Sequence, residues 1–164
     1  MERKIIVGVM GPSEKATAKD NQNAFELGKC IAKQGWVLLT GGRDSGVMNS
    51  ACKGAKLENG LTIGILPDED HMGVSEYVDV PILTGMGSAR NNINVLTSDV
   101  IVVCGMGAGT LSEIALAIKA EKSVILLSDD DDFVELIKKI GKRHIYTIQN
   151  PADCVKIVKK LIVI

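Results

Sequence analysis

Apolar and polar residues alternate in blocks along the chain. Runs rich in Val, Ile and Leu predict seven buried strands, at residues 5–10, 36–40, 61–66, 78–83, 101–104, 123–127 and 145–148. Between most of these runs the apolar residues recur at helical spacing, and helices are predicted at residues 18–34, 49–59, 133–140 and 151–160, with further helices through Ile93 and from Thr110. Strands that alternate with helices pair in parallel and are covered on both faces. We therefore expect one α/β domain over residues 1–164, with a doubly wound, mostly parallel sheet of about seven strands.

A glycine-rich turn follows the fifth predicted strand. Gly105, Gly107 and Gly109 alternate with other residues, and Thr110 then opens a helical pattern whose apolar face carries Leu111, Ile114, Ala115 and Ile118. Glycines let backbone N–H groups approach a ligand, and a helix N-terminus offers unpaired donors and the positive end of its dipole. The turn therefore predicts a phosphate site. Glu113 has two interpretations here: it forms a capping box with Thr110, or it contacts the ligand.

Two further glycine turns are expected at the same edge of the sheet. Residues 41–48 follow the second strand directly and contain Gly41, Gly42, Gly46 and Met48, as well as Arg43, which either reaches an anion or is simply solvated. Residues 84–92 lead into the helix through Ile93. Arg90 would lie in the first turn of that helix, where a cation opposes the helix dipole unless an anion offsets it. Arg90 is therefore the best single candidate for a ligand contact, and Asn91 beside it suggests polar readout or a subunit contact.

Composition excludes several classes of function. Lys and Arg number 19 against 20 Asp and Glu, and aromatic residues make up only 3%, so neither a basic nor a base-stacking nucleic-acid surface is expected. The four cysteines are far apart, which is typical of free thiols in a reduced cytoplasmic protein. No apolar run approaches the roughly 20 residues of a membrane span, and residues 1–4 lead into a strand rather than a signal peptide. The acidic residues at 128–132 suit a helix start better than Mg²⁺, and the loop at 68–73 suits an exposed segment better than a metal site.

With these motifs in place, the chain resembles the Rossmann-like family that contains the Lonely Guy phosphoribohydrolases and the molybdenum cofactor carrier proteins. The resemblance covers residues 5–148 and rests on Gly41-Gly42 with Gly46-Val-Met48, on the segment around Arg90, and on Gly107-Ala-Gly-Thr-Leu-Ser-Glu113. The hydrolase pattern P-G-G-x-G-T-x-x-E has Pro and Gly where this chain has Gly105 and Met106, and its R-K pair is here Arg90-Asn91. A Met side chain at position 106 is expected to intrude where the hydrolases have a small residue. The resemblance therefore favours the carriers.

For a carrier, the resemblance implies binding and protection of a phosphorylated pterin, the molybdenum cofactor (molybdopterin), by a cytoplasmic homodimer or homotetramer that passes it to molybdoenzymes. The residues expected to bind it, with no metal ligand among them, are Gly11, Gly41, Gly42, Arg43, Gly46, Val47, Met48, Arg90, Asn91, Gly105, Met106, Gly107, Ala108, Gly109, Thr110 and Glu113. The alternative is hydrolysis of nucleoside 5′-monophosphates to base and ribose 5-phosphate. Arg90 and Glu113 would then be the catalytic pair, with Glu113 acting on the ribose or the attacking water and Arg90 balancing charge.

Overall fold

A computed structural model describes residues 3–162, which form seven strands and six α-helices. The strands are β1 Ile6–Met10, β2 Val37–Thr40, β3 Thr62–Leu66, β4 Val80–Leu83, β5 Val100–Cys104, β6 Ser123–Leu127 and β7 Ile145–Ile148. The helices are α1 Ala18–Lys33, α2 Gly46–Leu57, α3 Asn91–Thr97, α4 Ala108–Lys119, α5 Asp131–Gly141 and α6 Pro151–Ile162, and short 3-10 helices occupy Gly87–Arg90 and Lys142–His144.

All seven strands are parallel, in the order β4-β3-β2-β1-β5-β6-β7. The chain builds outward from β1 to β4 on one side, then returns to place β5 against the other side of β1. The register pairs Met10 with Val103, so β1 and β5 end side by side. In open α/β sheets a ligand binds where the strand order reverses, outside the carboxyl ends of the strands. The topology therefore places the candidate site beside the ends of β1 and β5.

Two apolar cores cover the faces of the sheet. One packs α1, α2 and α6 against the sheet and includes Leu27, Ala51 and Val158. The other packs α3, α4 and α5 and includes Val95 and Ile114. The predicted doubly wound α/β fold is thus confirmed, with a sheet that is entirely parallel.

Local signals in the sequence are confirmed at several element ends. Thr17 caps α1 and forms a capping box with Asp20, and Asp130 caps α5 by accepting a hydrogen bond from the Phe133 N–H. β4, which contains Pro81, is an edge strand, where a residue without an N–H disturbs the ladder least. Cys52, Cys104 and Cys154 are buried free thiols, and Cys30 is half-buried.

Several predicted boundaries and one helix face were wrong. α2 begins at Gly46 rather than residue 49, α4 at Ala108 rather than Thr110, and β4 at Val80 rather than residue 78, because helix starts and strand ends are only weakly encoded. Leu111 and Ala115, expected on the buried face of α4, are exposed, Leu111 by 45%. The face that α4 buries instead carries Thr110, Glu113, Ile114 and Ala117.

Within the described residues, every helix is too short or too polar to cross a bilayer. The expectation about a signal peptide concerns residues 1 and 2 in part, and these lie outside the described residues.

Candidate functional site

A cavity of about 160 Å³ lies at the carboxyl ends of the central strands, and we call it the inner cavity. It opens between the ends of β1 and β2, the start of α3 and the first turns of α4. Its lining residues are Val9, Met10, Gly11, Ser13, Gly41, Met48, Arg90, Asn91, Gly109, Thr110 and Glu113.

Arg90 brings a buried cation to this cavity. It ends the 3-10 helix directly before α3, and its guanidinium lies against Gly41, where a Cβ atom would come within 2.8 Å of Nη2. Its Nε atom is buried without a hydrogen-bond partner, and Arg90 makes no salt bridge with any residue from 3 to 162. Burial lowers the pKa of Arg90, while the negative charge of Glu113 acts in the opposite direction. The guanidinium is therefore a partly desolvated cation with hydrogen-bonding capacity to spare.

Glu113 faces the same cavity from α4 and is only 6% exposed. Of the two interpretations of Glu113, the capping box with Thr110 was wrong: α4 begins at Ala108 with Gly107 as its N-cap, so both residues lie inside the helix. The carboxylate instead accepts a 2.7 Å hydrogen bond from Nδ2 of Asn94 on α3. Burial raises the pKa of Glu113 to about 6, although the Asn94 hydrogen bond and the charge of Arg90 both favour the ionised form.

The first turn of α4 adds polar groups without partners. The first N–H groups of a helix have no acceptor within it, and Gly107 offers no side chain to cap them. Gly109 and Thr110 lie in this turn and line the inner cavity. The Thr110 Oγ1 atom is buried with no partner among the described residues. The positive end of the helix, the Thr110 hydroxyl and the Arg90 guanidinium therefore border one small space, which suits an oxyanion.

A second cavity of about 390 Å³ adjoins the first, and we call it the outer cavity. Ser13, Met48 and Arg90 line both cavities, so the two are adjacent. Arg43 also lines the outer cavity, where its guanidinium forms a 2.6 Å salt bridge with Asp68. The remaining lining residues are Glu14, Asp44, Ser45 and Gly73. The outer cavity lies in the size range of small-molecule sites, about 300–1,000 Å³.

The residues predicted from sequence to bind the ligand divide into three groups. The inner cavity contains Gly11, Gly41, Met48, Arg90, Asn91, Gly109, Thr110 and Glu113, and Arg43 lines only the outer cavity. Outside both cavities lie Gly42, Gly46, Val47, Gly105, Met106, Gly107 and Ala108.

Gly105, which lies outside both cavities, is needed for the conformation of the backbone. Gly105 has a φ of 74°, and a Cβ atom there would lie 2.6 Å from the Asp20 carboxyl carbon, so this glycine lets the turn pass α1. Met106 is 42% exposed. Its side chain therefore does not intrude into the site, contrary to the expectation from the hydrolase pattern.

Two residues with roles in the site were not among the predicted binders. Ser13 lines both cavities from the loop that follows β1. Asn94 holds Glu113, and its position four residues after Arg90 is the one signal that would have placed it on the same helix face. Asn91, which was predicted, donates a 2.8 Å hydrogen bond to the Ser112 hydroxyl and so joins α3 to α4.

Comparison with known proteins places this geometry among its relatives. The model of the SLOG cluster4 family (LDcluster4) matches residues 4–155. The solved structure of the molybdenum cofactor binding protein from Rippkaea orientalis is 53% identical, covers 99% of both chains and superposes with a TM-score of 0.97. The molybdenum cofactor carrier protein of Chlamydomonas reinhardtii is 45% identical, covers 99% of this chain and 100% of that one, and superposes with a TM-score of 0.94.

A hydrolase is also among the relatives. The cytokinin riboside 5′-monophosphate phosphoribohydrolase of Mycobacterium tuberculosis is 32% identical over 93 residues, which are 56% of this chain and 50% of that enzyme. The resemblance to cofactor carriers inferred from the motifs is confirmed by the two structures, which match nearly full length at higher identity.

Proposed function

The chain belongs to the SLOG cluster4 family, and from this premise we propose that it binds and protects the molybdenum cofactor, a phosphorylated pterin. The observation that carries the proposal is the inner cavity itself. Arg90 Nε and Thr110 Oγ1 are both buried there without partners among residues 3–162, beside the N-terminus of α4. An unpaired buried polar group costs about 1–3 kcal/mol, and the phosphate of the cofactor would accept hydrogen bonds from both.

The two cavities match the two parts of such a ligand. The inner cavity, at about 160 Å³, is the right size for a phosphate group and too small for the whole cofactor. The pterin and its metal-binding end would extend past Arg90 into the outer cavity of about 390 Å³, where Arg43, Asp44 and Ser45 supply polar groups. In this assignment the phosphate lies at Gly109 and Thr110, at the helix end of the turn predicted from residues 105–110.

We further propose that the protein acts as a homo-oligomer in the cytoplasm and delivers the cofactor to molybdoenzymes. The apolar face that supports self-association lies between residues 86–92 and α4, where Met86, Ala115 and Leu116 line a groove of about 820 Å³ and Leu111 is exposed. Sedimentation velocity tests the assembly: a dimer or tetramer is expected for the parent, and a monomer for Leu116→Glu.

Retention of the cofactor tests the carrier proposal. The protein is mixed with molybdenum cofactor without oxygen, separated by gel filtration and oxidised, and the pterin fluorescence of the protein peak is measured. The parent and Arg143→Met, which removes an exposed arginine from the 3-10 helix before the edge strand β7, should retain the pterin. Arg90→Met should lose it, since a charge-assisted hydrogen bond contributes about 1.5–3 kcal/mol. Equal retention by all three proteins would show that the inner cavity does not hold the cofactor.

The second candidate function is hydrolysis of the N-glycosidic bond of nucleoside 5′-monophosphates. The observation that favours it is Glu113, whose pKa of about 6 suits proton transfer near neutral pH, together with the similarity to the Mycobacterium tuberculosis enzyme. In this reaction Glu113 would activate water or bind the ribose, and Arg90 would neutralise developing charge.

Ribose 5-phosphate formation distinguishes the two functions. The protein is incubated for hours with a panel of nucleoside monophosphates, beside Glu113→Gln. The carrier proposal expects no product from either protein. Turnover by the parent that disappears in the Gln variant would make hydrolysis the function.

A further inference from the structure

The inner cavity holds a carboxylate where the proposed ligand brings another anion. Glu113 is nearly fully buried, lines the cavity and accepts its hydrogen bond through Oε1 only. A phosphate in a space of about 160 Å³ would lie beside this carboxylate. Two negative groups this close repel each other, and the burial of Glu113 weakens the screening of that repulsion by solvent.

The charges around Glu113 do not offset this repulsion. From α3 the carboxylate faces the neutral side chain of Asn94, and Arg90 is the one cation that acts on it among the described residues. Arg43 is engaged with Asp68, and Glu14 and Asp44 add carboxylates to the outer cavity. One guanidinium therefore serves both an ionised Glu113 and a dianionic ligand.

The hydrogen bond from Asn94 determines which oxygen of Glu113 can carry a proton. Nδ2 of Asn94 donates to Oε1, so Oε1 must remain an acceptor, while Oε2 accepts no hydrogen bond from the described residues. A proton on Oε2 turns the repelling carboxylate into a donor, and the Asn94 hydrogen bond is kept.

We propose that Glu113 is protonated in the complex and donates a hydrogen bond from Oε2 to the bound oxyanion, with Asn94 as the positioning residue, so that binding takes up one proton from solvent. The inference rests on the proposed function, because it requires an oxyanion in the inner cavity. It makes Glu113 a specificity-determining group that selects ligands able to accept its hydrogen bond.

The state of Glu113 before binding supports this linkage. Burial raises the pKa of Glu113 to about 6, so about one molecule in ten carries the proton at pH 7. Affinity should therefore fall as pH rises above 6, by about tenfold per pH unit. The cofactor would be held more weakly in alkaline solution although neither arginine has lost its charge.

Calorimetric titration with sulfate tests the inference, because sulfate remains a dianion throughout pH 5–8. The parent should bind sulfate about tenfold more weakly at pH 8 than at pH 7, and titrations in buffers of different ionisation enthalpy should show uptake of about one proton. Glu113→Gln supplies a permanent donor at the same place. It should bind with an affinity independent of pH and about tenfold more tightly than the parent at pH 7.

Two further variants identify the group that causes the pH dependence of sulfate binding. His71→Gln removes the imidazole of the neighbouring loop and should leave the profile unchanged. Asn94→Ala removes the hydrogen bond that favours the ionised carboxylate of Glu113. The midpoint of the pH profile of sulfate binding should therefore move to higher pH in this variant. If Asn94 were purely structural, Asn94→Ala would lower the melting temperature and leave the midpoint of the pH profile in place.

The inference is overturned if the parent binds sulfate equally at pH 5.5 and 8, if Glu113→Gln keeps the pH dependence, or if sulfate fails to bind at any pH in the range. Cofactor retention at a single pH is a separate measurement. A protein that retains the cofactor but shows no proton uptake refutes the role of Glu113 and leaves the carrier function standing.

Discussion

Replacing Glu113 by Gln should stabilise the protein, and only above a defined pH. The side chain is buried, and burial raises its pKa from 4.5 to about 6. Gln can still accept the Asn94 hydrogen bond through its amide oxygen, so the variant removes the ionisation and keeps the contact.

The magnitude follows from linkage between protonation and folding. Each unit of pKa shift corresponds to 1.36 kcal/mol, so the shift is worth about 2 kcal/mol. Below pH 4.5 the folded and unfolded states are both protonated and the residue contributes no difference. As pH rises through 4.5–6 the unfolded state ionises more readily, and stability is lost until it levels off above the folded pKa. The parent should therefore match Glu113→Gln near pH 4 and be about 2 kcal/mol less stable at pH 7.

Urea denaturation at pH 4, 5, 6 and 7 measures this difference. At pH 7 the melting temperature of Glu113→Gln should also be higher by about 4–8 °C, since 1 kcal/mol shifts it by about 2–4 °C in a domain of this size. Glu135→Gln is the matched control: this residue is exposed on α5 and forms only a surface pair with Lys139, so its effect should stay within about 0.5 kcal/mol at every pH. A constant offset for Glu113→Gln from pH 4 to 7, or a loss of stability at pH 7, would refute the reasoning.

Four other substitutions test the packing and the site. Gly28→Ala should lower the stability of the fold by about 1–3 kcal/mol in a thermal melt, because a Cβ atom would overlap the Ala51 carbonyl oxygen where α1 crosses α2. Gly109→Ala, whose Cβ atom meets open space, should leave the stability unchanged. Gly41→Ala should displace the guanidinium of Arg90 and weaken sulfate binding tenfold or more by calorimetry, as a charge-assisted hydrogen bond is lost; unchanged affinity would show that the guanidinium is not held there. Arg90→Met should abolish sulfate binding. Its free energy of unfolding, measured in urea, should be nearly unchanged or higher than that of the parent. A large loss of stability would instead make Arg90 a structural residue.

The sequence predicted the fold well because hydrophobic periodicity reports directly on burial. Parallel pairing, the edge position of the strand with Pro81 and the convergence of the turns all follow from short-range patterns. Arg90 was found from another local signal, a cation expected against a helix dipole, although it lies one residue before α3 rather than in its first turn.

The details of the site depend on contacts between distant segments, which periodicity does not encode. In α4 the apolar pattern selected Leu111 and Ala115, while the buried face includes Thr110 and Glu113, because that end of the face lines a cavity instead of the core. The local spacing of Thr110 and Glu113 allowed a capping box as one interpretation, but Asn94 on another helix is the partner of Glu113.

The position of the cofactor's phosphate tests the central claim most directly. A crystal structure of the protein with molybdenum cofactor bound, prepared without oxygen or competing anions, would locate it. We predict the phosphate in the inner cavity, within hydrogen-bonding distance of the Arg90 guanidinium, the Thr110 hydroxyl and the first-turn N–H groups of α4, with the pterin extending into the outer cavity. A phosphate located in the outer cavity, a pterin in the inner one, or a cofactor bound elsewhere on the molecule would contradict the account.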